Sequence, residues 1–509
     1  MMKKTTAFAL LATFLIGGCT NNETAIDSSK LHLSADASPF DLFGYYSTSD
    51  GYYNLDGTRV KLDESHLTLD DFKRYKEAGM NTFLCQFESF YWGEEKNQDY
   101  ETSNLKKCLD LCQEAGIEHC YVLDYRFIHL TELETPIYSE APGDFLANRQ
   151  FVDQKALDEY VTMCMKDYSS HPAFAGVILR DEPKYSMLER CAEVYRSIKR
   201  VCPKAEPFLN LFPLYATQAS LTDDPLHETR EESYRKYLEK FVTLAKPDTL
   251  SVDSYPFRES TTSYRMEEHH MAGIQIFMDV CRKYSIEPTC VASSAQMYKG
   301  GMPDIVKPQS PDMQWQVNFY MGMGVKRIGY YTYWRSPHNA KDGEFYPDGT
   351  SFVDTYGKPT YLYYDMQTIH EEMQNLSSVI RKFSYQTSTT LLFPPSAYST
   401  SYLNMENANF ELVNEKDVHA NEGSALFLSE LKDDSGNHLY ALMNAANPCY
   451  ERTGQANLST DISIRFENCD AALVYYRGKS RYQKLQNGVY STHLEAGFAD
   501  YIIPFQSDE

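Results

Sequence analysis

Positive charge is scarce in this chain. Its 509 residues carry 48 Lys and Arg against 71 Asp and Glu, a net charge of −23 at pH 7. Proteins that wrap nucleic acid or lie flat on anionic lipid neutralise phosphates with Lys and Arg, so the balance argues against both modes of action. Long apolar runs are missing beyond the extreme N-terminus, which argues against an integral membrane protein. The 12 cysteines leave an odd number once Cys19 is set aside, so they do not make a complete disulfide framework. There is no C-x-x-C pair and no Cys/His metal spacing; His370-Glu371-Glu372 opens like a zinc protease helix, but Gln374 stands where the second ligand belongs. No glycine-rich phosphate turn follows the first strand and no G-x-x-x-x-G-K-S/T loop occurs, so neither a nucleotide nor any other cofactor is called for, and no metal.

What is present begins with an address. Met1-Met2-Lys3-Lys4 is a short basic start, and residues 5–16 form an apolar run of signal-peptide length, too short to span a bilayer. Leu15-Ile16-Gly17-Gly18-Cys19 resembles the bacterial lipobox, in which small residues precede a cysteine that becomes lipidated. The resemblance implies a signal peptide over 1–18, then a lipidated Cys19 with a polar tether over 19–38. The protein is then expected in the bacterial cell envelope, periplasmic or displayed on the outer membrane, touching lipid only through its anchor. Hydrophobic residues make up 42% of the chain and aromatics 14%, enough to bury a core. Cys85, Cys108, Cys112, Cys120 and Cys290 lie in strand-like or helical apolar stretches and read as core residues, whereas Cys449 and Cys469 could pair in an oxidising compartment.

Residues 39–383 alternate strand and helix. Strands are expected at 40–48, 82–87, 119–127, 174–179, 207–212, 249–254, 288–293 and 326–334. Amphipathic helices are expected at 68–79, 104–115, 154–168, 185–201, 231–244, 267–284, 313–323 and 360–381. Eight repeats imply parallel strands joined by helical crossovers, and eight is the number that closes a (β/α)8 TIM barrel. Residues 384–509 instead show short alternating runs separated by turn signals such as Asp434-Ser435-Gly436-Asn437, the pattern of an antiparallel β-sandwich.

In such barrels the chemistry sits at the C-terminal ends of the strands. Those ends deliver Tyr45, Glu88 and Trp92, then Asp124 and Arg126, then Asp181 and Glu182. Asn210 and Tyr215, Asp253 and Tyr255, and Gln296 follow, and the last strand gives Tyr331, Tyr333, Trp334 and Arg335. No Ser-His-Asp set and no histidine cluster is among them. Carboxylates with amides and aromatic platforms suit a carbohydrate: sugar faces stack on rings, hydroxyls bond to acids and amides, and paired carboxyl groups cleave glycosidic bonds. Glu182 stands out because it follows the buried run 174–179 at once and precedes Pro183, which favours extended backbone there. Burial at the barrel mouth can raise such a carboxyl's pKa for general-acid work. On extended backbone Asp181 alternates away from Glu182 and pairs with Arg180 or Arg126.

Asp181-Glu182-Pro183 resembles the Asn-Glu-Pro-like end of strand four in the β-galactosidase-like (β/α)8 glycoside hydrolases, the family 42 type and its clan A relatives. Residues 321–331 with Trp334 resemble the end of such catalytic domains, as do residues 354–360 with Tyr363 and His370. The likeness covers residues 39–383 as a pattern. It implies a glycosidase with Glu182 as general acid; the strand-end reading gives the expected sugar contacts as Tyr45, Glu88, Trp92, Arg126, Asp181, Asn210, Tyr255, Gln296, Tyr333 and Trp334. The family's nucleophile, a Glu ending strand seven, is not matched: 289–296 read Thr-Cys-Val-Ala-Ser-Ser-Ala-Gln. The second carboxylate is then expected from Asp253, or from Asp124, as base or nucleophile. The alternative is a catalytically inactive glycan-binding lipoprotein on the same scaffold. The acidic balance makes a neutral glycan the expected partner, with Arg126, Arg180 and Arg335 as the residues that could reverse this.

Overall fold

The computed structural model describes residues 31, 33, 38–47, 51–53, 59–61, 67–85, 100–140, 149–261, 263–335, 344–345, 347, 349–392, 410–412, 425–453 and 458–507. Cys19 and the leader, Glu88 and Trp92 lie outside them.

The eight expected strands form a closed, all-parallel barrel: β1 Asp41–Ser47, β2 Thr82–Cys85, β3 His119–Val122, β4 Phe174–Asp181, β5 Glu206–Leu211, β6 Thr249–Asp253, β7 Glu287–Ser293 and β8 Arg327–Arg335, paired in chain order with β8 against β1. The helices that cover it are α1 Leu69–Glu77, α2 Asn104–Ala115, α3 Gln154–Met165, α4 Leu188–Val201, α5 Arg230–Ala245, α6 His270–Tyr284, α7 Ser310–Gly322 and α8 Tyr361–Ile380. Their starts obey local chemistry. Thr68, Ser103 and Asp153 each accept a backbone N–H from the first turn, and Thr229 with Glu232 closes a full capping box on α5. No helix among the described residues is long and apolar enough to cross a membrane.

Phe43, Tyr45, Leu84, Tyr121, Ile178, Phe208 and Val291 fill the barrel interior. Its lower end is stoppered by Glu206, which accepts from Arg327 at 2.6 Å, Tyr121 at 2.8 Å and Thr249 at 2.7 Å. Arg327 and these hydroxyls hold the Glu206 carboxyl below its ordinary pKa against the opposing effect of burial.

The remainder, from residue 384 on, is the expected sandwich. A six-stranded antiparallel sheet runs in the order Ser384–Leu392, Ala425–Lys432, His438–Asn444, Ala499–Phe505, Ala471–Tyr476, Lys479–Lys484, and a three-stranded sheet runs Phe410–Leu412, Thr460–Phe466, Val489–Leu494. Leu428, Leu442, Ile462, Ile464, Val474 and Ile502 pack between them. The large sheet's other face joins the barrel core: Phe427 meets Phe319 of α7 at 4.8 Å, and Tyr501 donates to the Asn318 carbonyl at 3.2 Å. Of the cysteines, Cys85, Cys108, Cys112, Cys120 and Cys290 are buried as expected; Cys449 and Cys469 are both free thiols, not a pair. His370 is a buried packing residue between the Ala78 carbonyl and the Tyr330 hydroxyl.

One element was not legible as structure in the sequence. The loops after β6, β7 and β8 assemble a five-stranded antiparallel sheet over the barrel mouth, ordered Tyr264–Met266, Phe257–Glu259, Met302–Ile305, Met297–Lys299, Glu344–Phe345. We call it the cap sheet.

Candidate active site

A cavity of about 570 Å³ opens at the C-terminal end of the barrel. Its floor carries Tyr45, Asp181, Glu182, Asn210, Asp253, Tyr255 and Tyr331; Phe212 and Tyr215 from the loop after β5 form one wall, and Arg258, Met297, Lys299 and Asp304 of the cap sheet form another. Eight of the strand-end residues expected from the sequence thus meet in one place: Tyr45, Asp181, Glu182, Asn210, Tyr215, Asp253, Tyr255 and Tyr331.

Asn210 organises the acids. Ser251 donates to the Asn210 Oδ1 at 2.9 Å, which turns the amide so that Nδ2 donates to Asp253 Oδ1 at 2.9 Å and to Asp181 Oδ1 at 3.1 Å. The two carboxylate oxygens share one nitrogen, so they lie within about 6 Å of each other. Asp253 is 8% exposed. Burial, and then the charge of Asp181, push its carboxyl from 3.8 up to about 7, against the opposing hydrogen bond from Asn210. Asp253 is therefore a proton-bearing acid near neutrality beside a second carboxylate.

Asp181 reaches the cavity, contrary to the expected alternation. Glu182 has φ +45°, in the left-handed region, and its N–H donates to the Asn210 carbonyl at 2.9 Å. The chain leaves its extended path at that point, so consecutive acids both line the cavity rather than facing opposite ways.

Around the acids stand four tyrosines. Tyr331 packs edge-on to Tyr45 at 5.4 Å and lies nearly parallel to Tyr255 at 6.2 Å, while the Tyr215 hydroxyl accepts from the Tyr255 N–H at 3.1 Å. Burial, with the neighbouring carboxylates, raises the pKa of Tyr45, Tyr215 and Tyr255, so all three keep their hydroxyl protons as donors. Arg258 lies 4.9 Å over the Tyr215 ring and pairs with Asp304 at 3.1 Å and Glu267 at 3.3 Å.

Other expected site residues are employed elsewhere. Asp124 ends no strand: it caps the helix Tyr125–Thr131, is 1% exposed, and is held by the Arg126 guanidinium and the Tyr168 hydroxyl. Arg126 is engaged with Asp124 and the Cys164 carbonyl and is not among the residues lining this cavity. Tyr333 stacks on Tyr46 at 5.7 Å and Trp334 meets the same ring edge-on at 5.3 Å, both inside the layer between barrel and helices. A register shift between β1 and β8 lies at this point: Tyr331 lines the cavity, while Tyr333 and Trp334 beyond it pack outside the barrel interior. Gln296 donates to Glu259 at 3.3 Å and is not among the cavity residues. At the end of β7, Ser293 bonds through its backbone to Gln316, and Ser294 donates to the Thr332 carbonyl, so no carboxylate stands there. No group of three or more His, Cys, Asp or Glu among the described residues is placed to hold a metal ion.

Arg258, Met297, Lys299 and Asp304 were missed because their loops carry the cap sheet. One signal was available: Gly300-Gly301 between two short runs is a two-residue hairpin turn, and both glycines have positive φ, 59° and 79°.

No family model and no curated protein matches the sequence. Among solved structures, the chain is similar to a glycoside hydrolase family 5 protein from Bacteroides vulgatus, at 11% identity and a TM-score of 0.51, over 92% of this chain and 89% of that one. It is also similar to a structure described as a glycoside hydrolase, at 12% identity and a TM-score of 0.47, over 96% and 99% of the two chains. A β-galactosidase from the psychrophilic Marinomonas ef1 matches at 11% identity and a TM-score of 0.41 over 66% of this chain, which spans only 60% of that protein's length. At these identities the family 5 likeness establishes the fold, a TIM barrel with an appended β-domain.

Proposed function

We propose that this protein is a glycoside hydrolase acting on a neutral glycan in the capped barrel mouth. The observation that carries the reading is the buried Asp253 joined to Asp181 through Asn210 under a tyrosine wall, a setting that raises the Asp253 pKa. Glycosidic cleavage needs one protonated and one ionised carboxyl group about a scissile bond. Asp253 protonates the leaving oxygen. Glu182, two strands away on the same cavity, meets the anomeric carbon or activates water, and Asp181 keeps the proton on Asp253. This exchanges the roles expected from the Asn-Glu-Pro-like motif and rests on the buried, acid-flanked position of Asp253, where burial and the neighbouring Asp181 push its carboxyl up to about 7. Tyr45, Tyr255 and Tyr331 offer faces and hydroxyls to the sugar. A neutral substrate is favoured because Arg258 already has two acid partners.

The absence of a carboxylate at the end of β7 favours a second reading, a glycan-binding protein without turnover. A panel of aryl glycosides tested with wild type and Glu182→Gln separates the two. The hydrolase reading expects cleavage of at least one member and a loss of about 10²–10⁴-fold in the variant. Activity untouched by the substitution removes Glu182 from the mechanism; sugar binding without any cleavage supports the binding protein.

The sequence also supports a lipid anchor on Cys19 and a place in the cell envelope. Replacing Cys19 with Ala should release the protein from the membrane fraction of a bacterial host and abolish labelling by a radioactive fatty acid. A variant that is still labelled would refute the anchor.

A further inference from the structure

The cap sheet is made of strands of two to four residues, too short to be stable without a partner. It nonetheless presents Arg258, Lys299 and Asp304 to the cavity. Its support comes from the far domain. Arg452, in the turn Pro448–Thr453 of the sandwich, lies 5.7 Å over the ring of Tyr264 on the outer cap strand. The same guanidinium donates to the Lys307 carbonyl at 3.0 Å, just past the cap strand Met302–Ile305, and pairs with the buried Asp312 in the first turn of α7. A second route runs through Trp315. Phe257 of the cap packs edge-on against its indole at 5.3 Å, and the indole N–H donates to the Ala445 carbonyl of the sandwich at 3.0 Å.

One side chain therefore touches one cap hairpin, the chain just past the other, and the helix beneath them. We infer that the sandwich domain is the mount of the cavity's cap wall, with Arg452 as the positioning residue that fixes both hairpins and, through them, Arg258. The strand that begins with Phe257 carries Arg258, and its partner strand carries Tyr264, so the contact at Tyr264 is one strand removed from the strand that lines the cavity. Three restraints on one guanidinium, a ring face, a carbonyl and a carboxylate, are better met by Arg than by any other side chain.

Hydrogen–deuterium exchange of the full chain reads the wall directly, with no substrate. In Arg452→Ala, amides of 257–266 and 297–305 should exchange about tenfold faster than in wild type, while sandwich strands 438–444 and 499–505 stay protected. Arg452→Lys, which keeps the charge and the ring contact, should restore most of the protection. Tyr264→Leu removes the ring alone and leaves Asp312 paired; it should loosen 257–266 by itself. Cap protection unchanged in both Arg452→Ala and Tyr264→Leu would overturn the inference, as would loss of protection spread equally over the sandwich. Because no turnover is measured, either result is independent of whether the cavity cleaves glycosides.

Discussion

Asp253 is hydrogen-bonded and still keeps its proton to about pH 7, because burial and the Asp181 charge outweigh the help of Asn210. That has a consequence for stability. In the unfolded chain an Asp loses its proton near its ordinary value of 3.8. Between there and about 7 the folded protein holds a proton that the unfolded chain has released, so the folded state loses stability as pH rises through that window. Relative to Asp253→Asn, which has no proton to lose, wild type should fall by up to about 4 kcal/mol across it. Denaturant unfolding of both proteins at several pH values checks this; a difference that stays flat with pH would contradict it. The residues at the mouth were legible where they end a regular barrel strand, as Asp253 does, or lie just inside one, as Asn210 and Tyr45 do. Asp181 was misplaced because the alternation rule assumes extended backbone, and Glu182 abandons it. Asp124 was misplaced because an acid just after a strand serves equally well as a helix cap, and here the next turn is helical.

At the scale of elements, the eight strand–helix repeats were legible because five of the helices open on a side-chain cap and each strand is an apolar run. The cap sheet was not, because strands of two to four residues leave too little periodicity to read, and its register is set by partners in three different loops. The register shift between β1 and β8 was equally hidden: it depends on how two strands 286 residues apart meet at Gly44 and Tyr330. Close approach within the barrel makes one position unforgiving. A Cβ on Gly176 of β4 would sit 1.8 Å from the Glu206 carbonyl of β5, where neither backbone can give way. Gly176→Ala is expected to destabilise the fold by about 3 kcal/mol or more, read as a lowered denaturant midpoint. A midpoint within error of wild type would show that the β4–β5 pairing is looser than described.

At the scale of the whole molecule, barrel and sandwich share one hydrophobic core through α7 and the face of the large sheet turned away from the small one. The acidic surface that argued against nucleic acid leaves the cavity with acids on its floor and cations confined to the cap, one of them, Arg258, balanced by Asp304 and Glu267. The barrel positions the acids, the cap covers them and the sandwich braces the cap. The proposed reaction depends on Asp253 delivering its proton, and the pH dependence of kcat/KM on a cleaved aryl glycoside tests that step. For wild type, kcat/KM should fall as pH rises through about 7. In Asp181→Asn the fall should move to lower pH, because one of the two causes of the shift is gone, and in Asp253→Asn activity should drop by about 10²–10⁴-fold. Full activity in Asp253→Asn, or a fall left in place by Asp181→Asn, would contradict the assignment.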